Sequence, residues 1–305
     1  MSSTGLGQKI RDLAKDKKAL ILAHNYQPKE IQDIADVCGD SLELAKIAKD
    51  NSAEVIVFCG VYFMAEAAAI LSPQKKVILP DLSAGCPLAD SIQVEDLFSL
   101  KKRYPRAKVV TYINSTATLK AVSDVICTSS NAIQIVNKLE GDEIIFLPDK
   151  NLASFVQRFT NKKIIPWKGF CPTHENFTLD KALEVKRKYP EAVLIVHPEC
   201  RFEVVDQATE ALSTGQMTNF VKGLKTKEVI VGTESDMINQ LQIAAPHLNY
   251  LPAANNFICP DMKKISLEKL YQALKNLSPI VTVDFEIAKR AKRALDQMLL
   301  LSKKK

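Results

Sequence analysis

Cysteine followed directly by proline occurs three times in this chain of 305 residues, and the three sites are almost evenly spaced. They are Cys86-Pro87, Cys171-Pro172 and Cys259-Pro260, which lie 85 and 88 residues apart. Distant thiols at near-equal intervals are expected when a repeated unit contributes one cysteine per copy to a shared centre. The spacing therefore predicts an internally triplicated fold.

Other landmarks repeat with the same period. Apolar runs that end in a polar or aromatic side chain finish at His24, Tyr112 and His197, which are 88 and 85 residues apart. A second set of apolar runs begins at Glu54, Glu143 and Glu228. Hydroxyl residues stand seventeen positions beyond the ends of the first set, at Ser41, Ser129 and Thr214. Several landmarks that share one period make a chance match improbable.

Each copy has the pattern helix, strand, helix, strand, helix, strand, with strands that are continuously apolar. Such strands are typical of parallel sheets covered on both faces. We therefore expect an α/β fold of three homologous three-layer units with parallel sheets, arranged with pseudo-threefold symmetry around a central active site. The expected units are residues 1–87 with 261–305, 88–172 and 173–260, and the helical segment 267–274 is expected to pack on the first unit.

Composition limits the class of protein. Hydrophobic residues make up 47% of the chain and charged residues 25%, which excludes a disordered or fibrous protein. The net charge of +6 is spread along the chain, so small anionic ligands are favoured over nucleic acid. No apolar stretch reaches the roughly 18 residues of a membrane span or forms a signal peptide, so no membrane partner is expected and the cytoplasm is the expected location.

The cysteines indicate metal chemistry. Seven thiols in a reducing compartment are not expected to form a disulfide framework. Three converging thiolates suit zinc or an iron–sulfur cluster with one iron left open, and the absence of short paired spacings favours the cluster. Three buried thiols without a metal remain an alternative. The other four cysteines, which lie in apolar settings, are expected to be packed thiols: Cys38, Cys59, Cys127 and Cys200.

Polar residues at the strand ends are candidates for the chemistry. His24 and His197 occupy equivalent places, and Glu199 is a candidate general base two residues beyond the second histidine. Tyr26 and Asn114 add a phenol and an amide. The repeated serines and threonine are either simple helix caps or the start of anion sites at helix N-termini.

At this point the residues resemble a known family. The runs that carry the resemblance begin at His24-Asn25-Tyr26-Gln27 and continue through 34–41, 112–115, 127–129, 197–200 and 213–217. With the three Cys-Pro sites they closely resemble quinolinate synthase over nearly the whole chain. The resemblance implies three homologous α/β domains that hold an oxygen-sensitive 4Fe-4S cluster through Cys86, Cys171 and Cys259.

The resemblance also implies a reaction. The family is a group of condensing transferases that join iminoaspartate to dihydroxyacetone phosphate, releasing phosphate and two waters to give quinolinate, the pyridine precursor of NAD. L-Aspartate oxidase or aspartate dehydrogenase would supply the imine. Tyr26, Glu199 and His24 would be catalytic. The residues that would bind substrate are His24, Ser41, Tyr112, Ile113, Asn114, Ser129, His197, Pro198, Glu199 and Thr214.

Two alternatives remain open from the sequence. An open iron would equally serve a hydro-lyase that dehydrates a small hydroxy acid without a triose phosphate. A non-enzymatic redox sensor could use the cluster only to join three domains. The second alternative is disfavoured because a cluster with a purely structural role does not require polar strand ends that repeat in register.

Overall fold

The computed structural model describes residues 3–255 and 257–303. It contains three four-stranded parallel sheets, each flanked by helices, which confirms the predicted α/β fold. Residues 1, 2, 256, 304 and 305, which fall within the predicted first and third units, lie outside the described part. The predicted unit boundaries themselves remain predictions.

The first sheet is formed by the first quarter of the chain. Its elements are α1 (Ser3–Asp16), β1 (Ala19–His24), α2 (Lys29–Gln32), β2 (Val37–Gly39), α3 (Ser41–Asp50), β3 (Val55–Cys59), α4 (Tyr62–Leu71) and β4 (Lys76–Ile78). The strand order is β2-β1-β3-β4. The strands are buried because their sequences are apolar on both faces, and every residue of β3 is buried.

The second sheet has the equivalent order β6-β5-β7-β8. Its elements are α5 (Val94–Arg103), β5 (Lys108–Tyr112), α6 (Ala117–Ala121), β6 (Val125–Cys127), α7 (Ala132–Lys138), β7 (Glu143–Leu147), α8 (Lys150–Gln157) and β8 (Lys163–Pro166). Helix α5 is well terminated at both ends. Two carboxylates lie in its first turn and three cations in its last, and their interaction with the helix dipole stabilises the helix.

The third sheet repeats this order as β10-β9-β11-β12. Its elements are α9 (Pro172–Glu175), α10 (Leu179–Lys188), β9 (Val193–Val196), α11 (Phe202–Val205), β10 (Glu210–Ala211), α12 (Thr214–Val221), β11 (Glu228–Gly232), α13 (Met237–Ala244) and β12 (Asn249–Pro252). Ser213 caps α12 through a capping box with Gln216.

The triplication extends to the register of the strands. The central pairs are Leu22 with Phe58, Val110 with Phe146, and Ile195 with Val231, again 88 and 85 residues apart. The central strands begin at Val55, Glu143 and Glu228, so the predicted start of the first one was a residue early. The short strands β2, β6 and β10 were missed because two or three residues give no periodic signal.

The chain ends in a 3-10 helix (Met262–Lys264), α14 (Leu267–Asn276) and α15 (Phe285–Leu301). Helix α14 packs against α1 and β3, whereas α15 packs against α4, α6 and β6. Helix α15 therefore lies between the first and second sheets. Among residues 3–255 and 257–303, no helix is both long and apolar enough to cross a bilayer.

Candidate active site

A cavity of about 120 Å³ lies where the carboxyl ends of strands from all three sheets meet. Ligands of open parallel sheets bind at such edges. The cavity is bordered by Tyr26, by Cys86, Cys171 and Cys259, and by eight residues predicted to bind substrate: His24, Ser41, Tyr112, Asn114, Ser129, His197, Glu199 and Thr214. Residues more than a hundred positions apart in sequence are thus brought to one site.

Each of these cysteines follows a loop that is tied to its sheet by the same main-chain hydrogen bond. The amide of the third residue after each central strand donates to the carbonyl two residues before the cysteine. These pairs, at 2.7, 2.8 and 2.8 Å, are Tyr62 to Ala84, Lys150 to Gly169 and Ser235 to Phe257. The repeated bond places one thiol from each unit at the cavity.

The donor set fits an iron–sulfur cluster. All seven cysteines are free thiols, and the three that border the cavity are partly exposed to it. Three thiolate ligands leave one iron of a four-iron cluster without a protein ligand. The remaining four cysteines do not border the cavity. Cys59, Cys127 and Cys200 are buried, as predicted for packed thiols, whereas Cys38 is partly exposed.

A second group of donor atoms lies on the same wall. Cys171 Sγ, a His174 ring nitrogen and a Glu199 carboxylate oxygen all lie within 4.8 Å of one another. His174 Nδ1 is 2.9 Å from Glu199 Oε2 and 3.2 Å from Cys171 Sγ. One ring nitrogen carries at most one proton, and we assign the shorter contact as an N–H···O hydrogen bond.

Two histidines present the same face to the cavity. The Tyr26 amide donates to His24 Nδ1 at 3.2 Å, and the Glu199 amide donates to His197 Nδ1 at 3.3 Å. In the neutral ring, Nδ1 is then the acceptor and Nε2 carries the proton. Burial, with the charge of His197, lowers the pKa of His24 to about 3, so its imidazole is neutral.

Four buried side chains form a continuous hydrogen-bonded chain from the cavity. The Tyr26 hydroxyl lies 2.5 Å from Thr233 Oγ1, which lies 2.9 Å from His174 Nε2. Because Nδ1 of His174 donates to Glu199, its Nε2 must accept from the Thr233 hydroxyl. The Thr233 oxygen then accepts from Tyr26, and every member of the chain has a consistent role.

The charge states of these four hydrogen-bonded side chains follow from their surroundings. Burial alone would raise the pKa of Glu199, but the electrostatic influence of the nearby His197 and the hydrogen bond from His174 lower it well below its ordinary value. Burial raises the pKa of Tyr26 well above its ordinary value and lowers that of His174. The chain therefore holds a carboxylate at one end and a protonated phenol at the other.

Comparison with known proteins agrees with this architecture. The family model of the quinolinate synthetase A protein (NadA) matches residues 8–300. The chain is 47% identical to quinolinate synthase 1 of Methanosarcina acetivorans over 304 residues, which cover all of both chains. The chain belongs to the quinolinate synthetase A family. It is also 47% identical to a quinolinate synthase of Methanosarcina barkeri over 299 residues and 46% identical to one of Geobacter metallireducens over 301, covering 98% and 99% of each chain.

In this member of the quinolinate synthetase A family, polar contacts join residues of different sheets around the cavity. They are Asn25 Nδ2 to Thr214 Oγ1 at 3.0 Å, Ser129 Oγ to His197 Nε2 at 3.2 Å and Asn114 Nδ2 to Glu199 Oε1 at 3.5 Å. The buried Asn114 Oδ1 has no hydrogen-bond partner in the described structure. An orphaned acceptor beside a cavity indicates a place for a donor group of a ligand.

The three repeated hydroxyl residues do not all begin a helix. Ser41 and Thr214 are the first residues of α3 and α12, which are capped by Asp40 and Ser213. Ser129 instead precedes the cap of α7 by two residues and uses its hydroxyl on His197. The interpretation as helix caps is therefore wrong at all three positions, because the caps are Asp40, Asn131 and Ser213, whereas a place at a helix N-terminus is correct for Ser41 and Thr214.

Ile113 and Pro198 do not border the cavity. Both follow directly after a cavity residue, at the position that Asn25 occupies in the first unit. Ile113 is buried in the main apolar core, and its amide donates to the Cys127 carbonyl at 2.8 Å. Pro198 is buried and has no amide proton to donate. A direct role for their side chains in substrate binding stays a prediction of the resemblance alone.

Several buried polar residues of this site were not predicted from the sequence. His174 and Thr233 complete the hydrogen-bonded chain, and Glu234 borders the cavity. A signal was available for His174, since it stands three residues after Cys171 and is one of only four histidines. Thr233 and Glu234 gave none because the equivalent residues of the other units differ in type.

Proposed function

We propose that this protein catalyses the quinolinate synthase reaction, in which iminoaspartate and dihydroxyacetone phosphate give quinolinate, phosphate and water for NAD synthesis. The observation that carries the proposal is that three thiols, one from each repeat, border the same cavity as the Tyr26–Glu199 chain. The family assignment and the names of the relatives support it.

In this proposal Cys86, Cys171 and Cys259 hold a 4Fe-4S cluster. When bound, such a cluster supplies an open iron that acts as a Lewis acid on a substrate oxygen. The cavity supports this role because all three thiols border it, so an open iron would face the space that substrate occupies. The cytoplasm is the proposed compartment because thiols stay reduced there.

The substrates carry carboxylates and a phosphate, and the cavity offers neutral donors to them. Among described residues, no lysine or arginine borders it. The donors are instead imidazole N–H groups and hydroxyls, among them those of Ser41 and Thr214 at the first residues of α3 and α12. Neutral donors bind anions without creating an ion pair so strong that product would leave slowly.

Proton transfer is assigned to the hydrogen-bonded chain. Tyr26 borders the cavity and can give its phenolic proton to a substrate or take one from it. Burial, helped by the negative charge of Glu199, raises the pKa of Tyr26, so the phenol stays protonated until it meets substrate. Thr233, His174 and Glu199 hold the tyrosine in place and orient its hydroxyl.

An anaerobic assay with each substrate omitted in turn tests the proposal. Quinolinate should form only when both iminoaspartate and dihydroxyacetone phosphate are present, and phosphate should be released in equal amount. Turnover of a hydroxy acid without the triose phosphate would instead support the hydro-lyase. Supplying the imine with L-aspartate oxidase or aspartate dehydrogenase would show which source the enzyme accepts.

A further inference from the structure

Lys263 links a cysteine segment to a predicted catalytic residue. It stands four residues after Cys259, on the 3-10 helix. Its ammonium lies 2.6 Å from each of three oxygens, which belong to the Glu234 carboxylate, the Asp236 carboxylate and the Tyr26 carbonyl. An ammonium has three protons, so this geometry uses all of them.

The carboxylate of Glu234 contacts both Lys263 and the main chain of Cys259. Its side chain is fully buried, whereas that of Lys263 is 23% exposed. Glu234 Oε1, the atom that contacts the lysine, also accepts from the Cys259 amide at 3.4 Å, and Oε2 accepts from the Asp236 amide at 2.9 Å. A buried carboxylate without a cation would be costly, so the lysine is required where it stands.

Two linked segments of the third unit hold Tyr26. Lys263, on the Cys259 segment, binds its carbonyl, and Thr233, which follows β11 and precedes Glu234, binds its phenol. Next to the tyrosine, Gln27 Nε2 donates to the Met262 carbonyl at 2.9 Å. The main chain of this tyrosine is thus fixed by the Cys259 segment, and its side chain by the neighbour of the carboxylate that binds that segment.

The ion pair is specific to the third repeat. At the positions equivalent to Lys263, four residues after the other two cysteines, stand Asp90 and Glu175. The pair therefore does not arise from the repeated loop that presents the thiol. Lys263 is also not among the described residues that border the cavity, so it acts through its neighbours.

We propose that Lys263 is a positioning residue that couples the Cys259 segment to Tyr26, so that the phenol is aligned only when the cysteine segment is in place. The kinetic consequence rests on the proposed function, whereas the structural coupling does not. The two are tested separately.

The structural test is hydrogen exchange of the whole protein. In Lys263→Met, peptides that cover residues 22–30 and 257–264 should both exchange faster than in the unaltered protein. The matched control is Lys49→Met, which removes a surface pair with Asp296 at 2.8 Å and should change neither segment. Faster exchange confined to 257–264 would overturn the coupling, and this arm remains decisive even if no quinolinate is formed.

The kinetic test compares variants at equal cluster loading. Lys263→Met should lower kcat by roughly tenfold or more with KM within about twofold, since small misplacements of a catalytic group cost up to about 10²-fold. Lys263→Arg should recover part of the loss. A merely structural lysine would lower iron content and thermal stability while kcat per cluster stayed normal, and that result would contradict the proposal.

A double variant guards against a single variant that does not fold. Lys263→Met with Glu234→Gln removes both charges and leaves no unpaired buried carboxylate. We expect it to fold, to keep the cluster and still to show fast exchange at residues 22–30 with lowered kcat. Full recovery of kcat in the double variant would mean that only the unpaired charge mattered, and the positioning role would be rejected.

Discussion

The three cysteine loops and the hydrogen-bonded chain from Tyr26 to Glu199 border one cavity, but the loops follow the threefold repeat and the hydrogen-bonded chain does not. The loops are copies of each other, with one thiol and one main-chain hydrogen bond from each repeat. The chain has no such symmetry. Its tyrosine comes from the first repeat, and its other three members lie after Cys171, at positions where the other repeats carry different residues.

The difference shows how a triplicated fold gains a directional reaction. Repeated loops produce a symmetric arrangement of ligands, which a cluster needs. A substrate with unlike ends requires an asymmetric environment, and substitutions at equivalent positions supply it. His24, Tyr112 and His197 occupy one position in three repeats, yet only two of them are imidazoles.

The largest expected effect is on the symmetric part. Replacing any one of Cys86, Cys171 and Cys259 with alanine should abolish quinolinate formation and lower the iron content, to the same extent at all three positions, because each supplies one thiolate. Iron and sulfide analysis of anaerobically purified variants measures this. Cys38→Ala is the control, since that thiol lies away from the cavity. If one of the three variants stayed fully active, the claim that each loop supplies one ligand to the cluster would be contradicted.

The next effect isolates the asymmetric part. Glu199→Gln should lower kcat by roughly 10²–10⁴-fold, the usual contribution of a general acid or base, while the cluster is retained. The amide cannot exchange a proton with a substrate, whereas the carboxylate, which borders the cavity, can. Single-turnover kinetics and the cluster absorbance are measured on the same sample. Near-normal turnover would remove the carboxylate from the chemistry.

A smaller loss is expected in the middle of the chain. Thr233→Val keeps the shape of the side chain but removes the hydroxyl between Tyr26 and His174, so kcat should fall by about 10²-fold or less. Thr233→Ser restores the hydroxyl and should recover most of the activity. If valine and serine variants behave alike, the Thr233 hydroxyl does not orient Tyr26 for the reaction.

Substrate contacts at the rim should matter less still. Ser129→Ala removes one hydrogen bond to His197 Nε2, at 3.2 Å, which is a contact between two repeats. A net loss of about 0.5–1.5 kcal/mol corresponds to a rise in KM of roughly twofold to tenfold with little change in kcat. Steady-state kinetics at saturating cluster content measure it. A loss confined to kcat would place this serine in the proton transfer.

The smallest effect concerns pH. The pKa values of His24, His174 and Glu199 are lowered and that of Tyr26 is raised, so each of these four groups keeps one dominant charge state between the ordinary pKa of histidine, about 6.5, and pH 8. In acid, activity should fall only below pH 6.5, as the buried imidazoles gain protons, His24 at a pKa of about 3, before Glu199 does. The measurement is kcat against pH. A limb near 6.5, the ordinary pKa of histidine, would show that one of these buried imidazoles is in fact free to titrate.

Most of the fold could be predicted because repetition multiplies weak signals. One Cys-Pro pair or one apolar run carries little information, but three copies at one period predict three parallel α/β units and place His24, Tyr112 and His197 at equivalent strand ends. The short edge strands were missed since they have no period of their own. Helix α15 could not be placed because it follows the last repeat and packs between two sheets.

The site was predictable only where it follows the repeat. The three thiols and most polar strand ends did so. His174, Thr233, Glu234 and Lys263 did not, because their partners come from distant parts of the chain and no equivalent residue marks them. Contacts such as Lys263 with the Tyr26 carbonyl depend on how the units pack, which the spacing of residues does not encode.

The central claim is that the repeated thiols hold a cluster on which quinolinate formation depends. The most direct measurement is iron, sulfide and quinolinate turnover in one anaerobic preparation, before and after the cluster is removed by oxygen and rebuilt. The account predicts a coloured protein with one 4Fe-4S cluster per chain, whose activity is lost and regained in proportion to its iron. A colourless, iron-free protein that forms quinolinate at an undiminished rate would contradict it.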